Sequence, residues 1–532
     1  MTEPLPLDKP ILGDFTKRKK IIIMAGAMIG LLMAALDQTV VATALPQVVA
    51  DLGGFDRFAW VFTAYMLAST ALIPIMGKLS DIYGRKWVLI GGAAIFMIGS
   101  VLCGTAFTMN QLIIYRAIQG IGAASLMANS FTILADLFPP AERGKWQGLF
   151  GATFALASVI GPVTGGYITD NFEWRWIFLI NVPVGIVTII FLLLTMPSIH
   201  HQSNKGTIDF AGASVLILLV VPFLLALTLG GDLYDWTSLQ IILMFLWSLI
   251  MLPCFVIIER RASNPIIPLW VFRNPVYSVS IFAIFMTGLG MFGGVVFVPL
   301  FIQGVVGSSA TNSGAVIVPM SLAIVLSSTI AGQLIARTGH YKIFGSMGLG
   351  VMAFGLYLLA DLGADSTEWL AVRNMIVVGL GLGITFPVYV IAVQNSFEHR
   401  FAGIVTSTTQ FFRQIGGTMG VAIMGSILAV NVGRSMNEAV SQTPGADNLS
   451  NDVLLALGNP QLLIDIESKS KIQEALTSDP NTALAFSDLL EALRISLAES
   501  ISNVFLLSMV FVLIAFLASF FVKEVALKGR EH

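Results

Sequence analysis

The sequence predicts an all-α polytopic membrane protein: two pseudo-symmetric six-helix bundles with two further helices inserted between them. Three observations lead there. Of the 532 residues, 56% are hydrophobic and 11% charged, with mean hydropathy +0.84, whereas soluble domains carry about 25% charge. The apolar residues gather into fourteen stretches near the length of about 20 residues that a helix needs to cross a bilayer. Short motifs in the first half also reappear, weakened, in the second.

Taken in order, the first six stretches lie near 21–49, 58–77, 87–107, 111–136, 146–168 and 175–196. The pair at 209–229 and 238–258 follows, then 277–303, 312–336, 343–361, 368–394, 403–431 and 499–522. An even number puts both termini on one side. Most Lys and Arg residues, including the run at 17–20 and the pair Arg85–Lys86, fall on that side, so both ends are cytoplasmic. The polar start leads into a span too long for a secretory h-region, so the first span is expected to remain in the mature chain.

The repeat sets the domain boundaries. GKLSDIYGRKWVLIGG after the second span has a shadow in GQLIARTGHYKIFGSMG after the tenth, and YRAIQGIGAA is echoed by VRNMIVVGLGLG, which aligns Arg116 with Arg373. The expected organisation is a cytoplasmic segment 1–20, a first bundle 21–196, inserted helices 197–258, a basic, Pro-rich linker 259–275, a second bundle 276–522 and a tail 523–532. The second bundle includes an acidic external segment, 433–498, whose apolar residues recur at helical spacing and predict a hairpin running into the last span. Internal symmetry of this kind is the architecture of alternating-access carriers, with the site at the repeat interface.

Asp37 is the residue around which function is read. It lies near the middle of the first span, in LDQTVVATALPQV, where a charge costs about 3 kcal/mol or more and marks a pathway or proton relay. Arg116 of the fourth span is the natural partner. A carboxylate beside a guanidinium stays ionised, and burial favours its protonated form once that partner leaves. One acid can thus couple a proton to a conformational change; a permanent structural salt bridge is the alternative. Gln38, Gln119 and Thr43 are candidate hydrogen-bond neighbours. Arg413, in TQFFRQIGGTMG, either touches cargo or holds its helix to a backbone carbonyl; Arg373 is read as structural.

In the loop GKLSDIYGRK, Gly77 and Gly84 allow a tight helix–loop–helix turn, while Asp81, Arg85 and Lys86 can bridge span ends across the two halves. Asp81 could also sit at the N-terminus of the thirteenth span near 401–404, where the helix dipole favours its charge. That arrangement would be a conformational latch. In the fifth span, Gly161, Gly165 and Gly166 offer a small-residue packing face, and Pro162 predicts a kink.

These stretches resemble the motifs of the major facilitator superfamily, and specifically its fourteen-helix drug:proton antiporters. LDQTVVATALPQV is similar to the family's LDxTxVNxALP element, with Ala42 where Asn is usual; GKLSDIYGRK resembles its loop signature, and YRAIQGIGAA its RxxQGxgaA element. GLFGATFALASVIGPVTGGYI resembles the exporters' antiporter motif, with Ala157 where a glycine is usual. The resemblance implies a proton-coupled exporter of hydrophobic or cationic drugs in a bacterial plasma membrane. It also implies transport without cofactor or metal, energised by the proton gradient, by a monomer that binds no nucleic acid.

The chain carries no GxxxxGK[ST] loop, and no nucleophile–base or metal-ligand set, so neither a primary pump nor an enzyme is expected. Cys103 and Cys254 sit in apolar spans and imply no disulfide. Spans nine to fourteen hold no central carboxylate, which favours lipophilic monocations, neutral drugs or lipids over dications. Gln38, Gln119, Phe292, Phe297, Gln410 and Arg413 are the expected cavity residues. Two alternatives stand beside drug export: a lipid or glycolipid exporter of the same fold, and a non-transporting membrane sensor.

Overall fold

The computed structural model describes residues 15–52, 59–197, 208–231, 233–308, 316–398, 401–446, 449–457, 460–463, 466–476 and 480–525. These residues are all-helical, with no strand among them. In chain order the helices are α1 Lys17–Leu52, α2 Ala59–Tyr83, α3 Arg85–Gly104, α4 Met109–Leu137 and α5 Pro140–Asn171. The sixth span is broken into α6 Trp176–Leu179 and α7 Asn181–Thr195. The inserted helices are α8 Phe210–Leu229 and α9 Leu239–Arg261. A second set follows as α10 Pro275–Gly304, α11 Ile317–Thr338, α12 Lys342–Ala360, α13 Glu368–Asn395 and α14 Ala402–Gln442. Short helices α15 Asn451–Leu457 and α16 Ile466–Ala475 precede the 40-residue α17, Pro480–Ser519.

Thirteen stretches among the described residues are long and apolar enough to cross a membrane. The fourteenth expected span coincides with the 32-residue α5. Within 433–498, α14 continues outward to Gln442, and α17 starts at Pro480 and runs into the final span without a break.

The two bundles are built alike. In the first, α3 packs on α4 with Gly92 against Ser125 and Gly122 against the backbone of Phe96. In the second, α12 packs on α13 with Gly348 against Thr385 and Gly381 against the backbone of Met352. Helices can meet this closely only where side chains are absent, which is how bundles gain packing contacts in lipid. Gly84 and Gly339, at equivalent turns, have φ of 88° and 80°, a region that L side chains enter only at a cost. The inserted α8 lies against α2 and α14, while α9 packs on α8 and exposes Leu239, Leu249 and Ile257. The halves meet along α2–α14 and α5–α11.

Candidate functional site

Asp37 and Arg116 meet inside the first bundle, with Nη1 to Oδ2 at 2.5 Å and neither side chain exposed. Asp37 Oδ1 accepts from Gln119 Nε2 at 2.8 Å and from Asn181 Nδ2 at 3.0 Å. Ser100 Oγ accepts from the same two amides, and Arg116 Nη1 also donates to Gln119 Oε1 at 2.6 Å. The guanidinium is fixed by donation of Nε to the Val61 carbonyl at 3.1 Å and stands 4.3 Å above the Tyr65 ring. The carboxylate therefore faces a donor on each side and is held by α1, α4 and α7 together. The Tyr65 hydroxyl donates to the Ala34 carbonyl at 3.2 Å, and Gln38 is half-buried on the same helix as Asp37; the side chain of Thr43 lies outside the described residues. Asn181 and Ser100 were missed in the sequence. Asn181, an amide in a very apolar span, carried the same signal as Asp37 but no charge to attract notice.

At the cytoplasmic ends, the Asp81 carboxylate rests directly on Gly403 in the first turn of α14. Gly77 lies within α2, not in the turn, and its missing Cβ makes room for Ser407 of α14. This corrects its expected role, because helix α2 continues to Tyr83 and only Gly84 makes the turn. Arg85 bridges Asp81 at 2.5 Å and Asp136 at 2.9 Å, both in its own half. Lys86 donates to the Leu193 carbonyl at 2.8 Å, also in its own half. Arg85 and Lys86 thus brace the first bundle, and Asp81 makes the crossing.

A second crossing was not expected from the sequence. Arg143 is buried and donates to Gln394 of α13 at 2.9 Å, as well as to the carbonyls of Phe138 and Ala135. Burial pushes its guanidinium down to about 10, against the pull of Asp136, so it remains a cation at neutral pH. The sequence offered Arg143 only as a topology charge, since nothing local points to a partner 251 residues away.

In the fifth span, Gly161 makes room for Thr39 of α1, whose hydroxyl donates to the Ala157 carbonyl at 3.0 Å. Gly165 is buried. Gly166 faces open space, so it is not part of the packing face; a helix turns about 100° per residue, and neighbours cannot share one contact. The side chain of Pro162 lies outside the described residues.

A cavity of about 550 Å³ lies between the outer halves of α2, α8, α10 and α14. Phe62, Met66, Leu224, Leu227, Phe292 and Val421 make its apolar wall, and Thr63, Thr228, Gln414, Thr418 and Ser426 its polar points. Of the six expected cavity residues, only Phe292 lines it. Gln119 belongs to the Asp37 network, Phe297 is packed in the second bundle's core, and Gln410 is buried in α14. Arg413 points the other way, stacked 4.0 Å over Phe386 at a small separate cavity. Arg373 is exposed and bonds Asn374, so the repeat does not reproduce the buried pair.

Two helical bundles around an intramembrane ion pair define a polytopic membrane protein of the transporter class. A family profile described as Major Facilitator Superfamily matches residues 27–421, and the chain belongs to that superfamily. It is a multi-pass plasma-membrane protein. The multidrug transporter protein MdtP of Bacillus subtilis is 38% identical over 96% of this chain and 95% of its own length. Multidrug resistance protein 3 of the same organism is 39% identical over 95% and 96%. Among solved structures, the fold resembles the human organic anion transporter MFSD10 (TETRAN), with a TM-score of 0.58 at 13% identity over 93% of this chain and 99% of the other. It also resembles the proton:xylose symporter XylE, at 0.57 and 13% over 96% and 98%.

Proposed function

We propose that this protein is a proton-coupled exporter of hydrophobic drugs working by alternating access, with Asp37 carrying the proton. The observation that carries the reading is the set of three donors held on the buried Asp37 carboxylate. Arg116 faces Oδ2, and both Gln119 and Asn181 face Oδ1. A proton on Oδ1 would meet two donors and one on Oδ2 would lie beside the Arg116 cation, so a shift of α4 or α7 against α1 favours protonation. Proton uptake and helix movement are then coupled. The contacts of Asp81 and Arg143 hold the cytoplasmic ends together while the cavity occupies the outer halves, an arrangement suited to release outward. The names of the two Bacillus relatives support drugs as cargo.

The test is proton release from purified protein on adding lipophilic cations, neutral drugs or a diacylglycerol-type lipid. Release by wild type and none by Asp37→Asn is the expected result. Drug-evoked release that survives in Asp37→Asn would remove Asp37 as the carrier. Saturable binding of the lipid with silence toward every drug would favour lipid export instead.

A further inference from the structure

We infer that the 550 Å³ cavity is a cargo site for uncharged, mainly apolar molecules, and that the inserted helix α8 forms its selectivity wall. The inference rests on the export reading and narrows it. The volume lies within the range of about 300–1,000 Å³ that takes a drug-sized ligand. Leu224, Leu227 and Thr228 of α8 form one side, facing Gln414, Thr418, Gly425 and Ser426 of α14. A helix inserted between the bundles has therefore become part of the space between them.

The charge class follows from what surrounds this space. Among the described residues that line it, none is ionisable. A cation leaving water for such a wall loses its hydration without a counter-charge, which is the costly case of burial. The nearest ionisable neighbour along α14 is Arg413, itself a cation, placed behind the wall over Phe386. Asp37 cannot serve as a counter-charge, because Arg116 already neutralises it at 2.5 Å. The five hydroxyl and amide side chains on the wall can hydrogen-bond a neutral solute's carbonyl, ether or amine groups.

Two substitutions fill the space from opposite walls. Leu227→Trp does so from α8. Gly425→Phe does so from α14, where an added Cβ meets only the Phe297 ring edge, at 4.0 Å. Leu249→Trp, on the lipid-facing surface of α9, is the control. Binding of neutral Nile red and of permanently cationic tetraphenylphosphonium is measured on protein in nanodiscs, with empty discs as background and no gradient. We expect saturable Nile red binding to wild type and Leu249→Trp, weakened at least about tenfold by each filling substitution. Tetraphenylphosphonium should bind weakly to wild type and gain affinity in Ser426→Asp, which supplies the missing counter-charge.

Nile red binding that is absent from wild type, or equal in wild type and both filled variants, overturns the site. Tetraphenylphosphonium bound by wild type as tightly as Nile red overturns the charge class. A filled variant counts only if it elutes as a single species. Because no gradient is present, the result is independent of proton coupling: intact, cavity-dependent binding without drug-evoked proton release would sink the Asp37 reading alone.

Discussion

The carboxylate of Asp81, at the cytoplasmic end of α2, lies against Gly403 in the first turn of α14, with no room between them for a Cβ. This joins the two bundles through a charge set at the positive end of a helix, where such a charge is favoured by about 0.3–1 kcal/mol in exposed settings and more when partly buried. Arg85, held between Asp81 and Asp136, fixes the carboxylate from behind.

Gly403→Ala should therefore part the cytoplasmic ends. The expected outcome is a shift of about tenfold or more toward the state with its cytoplasmic side open, read as faster thiol labelling of a cysteine placed at Ser407. Labelling at the wild-type rate would show that the contact does not hold the halves together. The control is Gly166→Ala, since Gly166 has open space where a Cβ would go.

Asn181 supplies one of the three donors on Asp37 and also bonds Ser100. Asn181→Ala removes a hydrogen bond to a buried charge and leaves a gap beside it, at a cost of about 1.5–3 kcal/mol. Thermal unfolding in detergent should show the loss. Adding Asp37→Asn should then cost less than the two single effects combined, because both act on one network. Simple additivity would mean that Asn181 does not act through Asp37.

At the outer end of α1, the Trp174 indole N–H donates to Asp51 at 3.0 Å, and Arg175 lies 3.0 Å from the same oxygen. The indole first, then the guanidinium, hold the Asp51 carboxyl below its ordinary value of 3.8. A lowered carboxyl favours the folded state fully above the unfolded value and loses that contribution as pH falls through the folded one. The clasp should thus be intact at neutral pH and come apart only below about 3.8. Trp174 fluorescence followed against pH, with Asp51→Asn as reference, checks this. A transition in that reference would assign the change to another group.

Much of this was legible along the chain, for identifiable reasons. Hydrocarbon admits a charge only with a partner, so Asp37 and Arg116 announced each other from separate spans. The turn at Gly84 was equally plain, because a helix that stops and restarts so abruptly needs a positive φ. Gly77 was misread because a glycine near a turn looks the same in sequence whether it bends its own backbone or admits a neighbouring helix. Asn181 and Arg143 were passed over because an amide carries no charge and a cytoplasmic arginine normally faces water.

The all-α membrane architecture and the buried ion pair can be read from hydropathy and charge along the chain. Each follows from the cost of placing polar groups in lipid, which acts on every residue wherever the rest of the chain lies. Packing in three dimensions was needed to place α8 on the cavity wall, to turn Arg413 away from it and to bring Arg143 to Gln394. Those are relations between helix faces brought together from distant parts of the chain. They depend on how each helix is rotated and which neighbour it meets, and hydropathy along one strand of sequence carries no record of either.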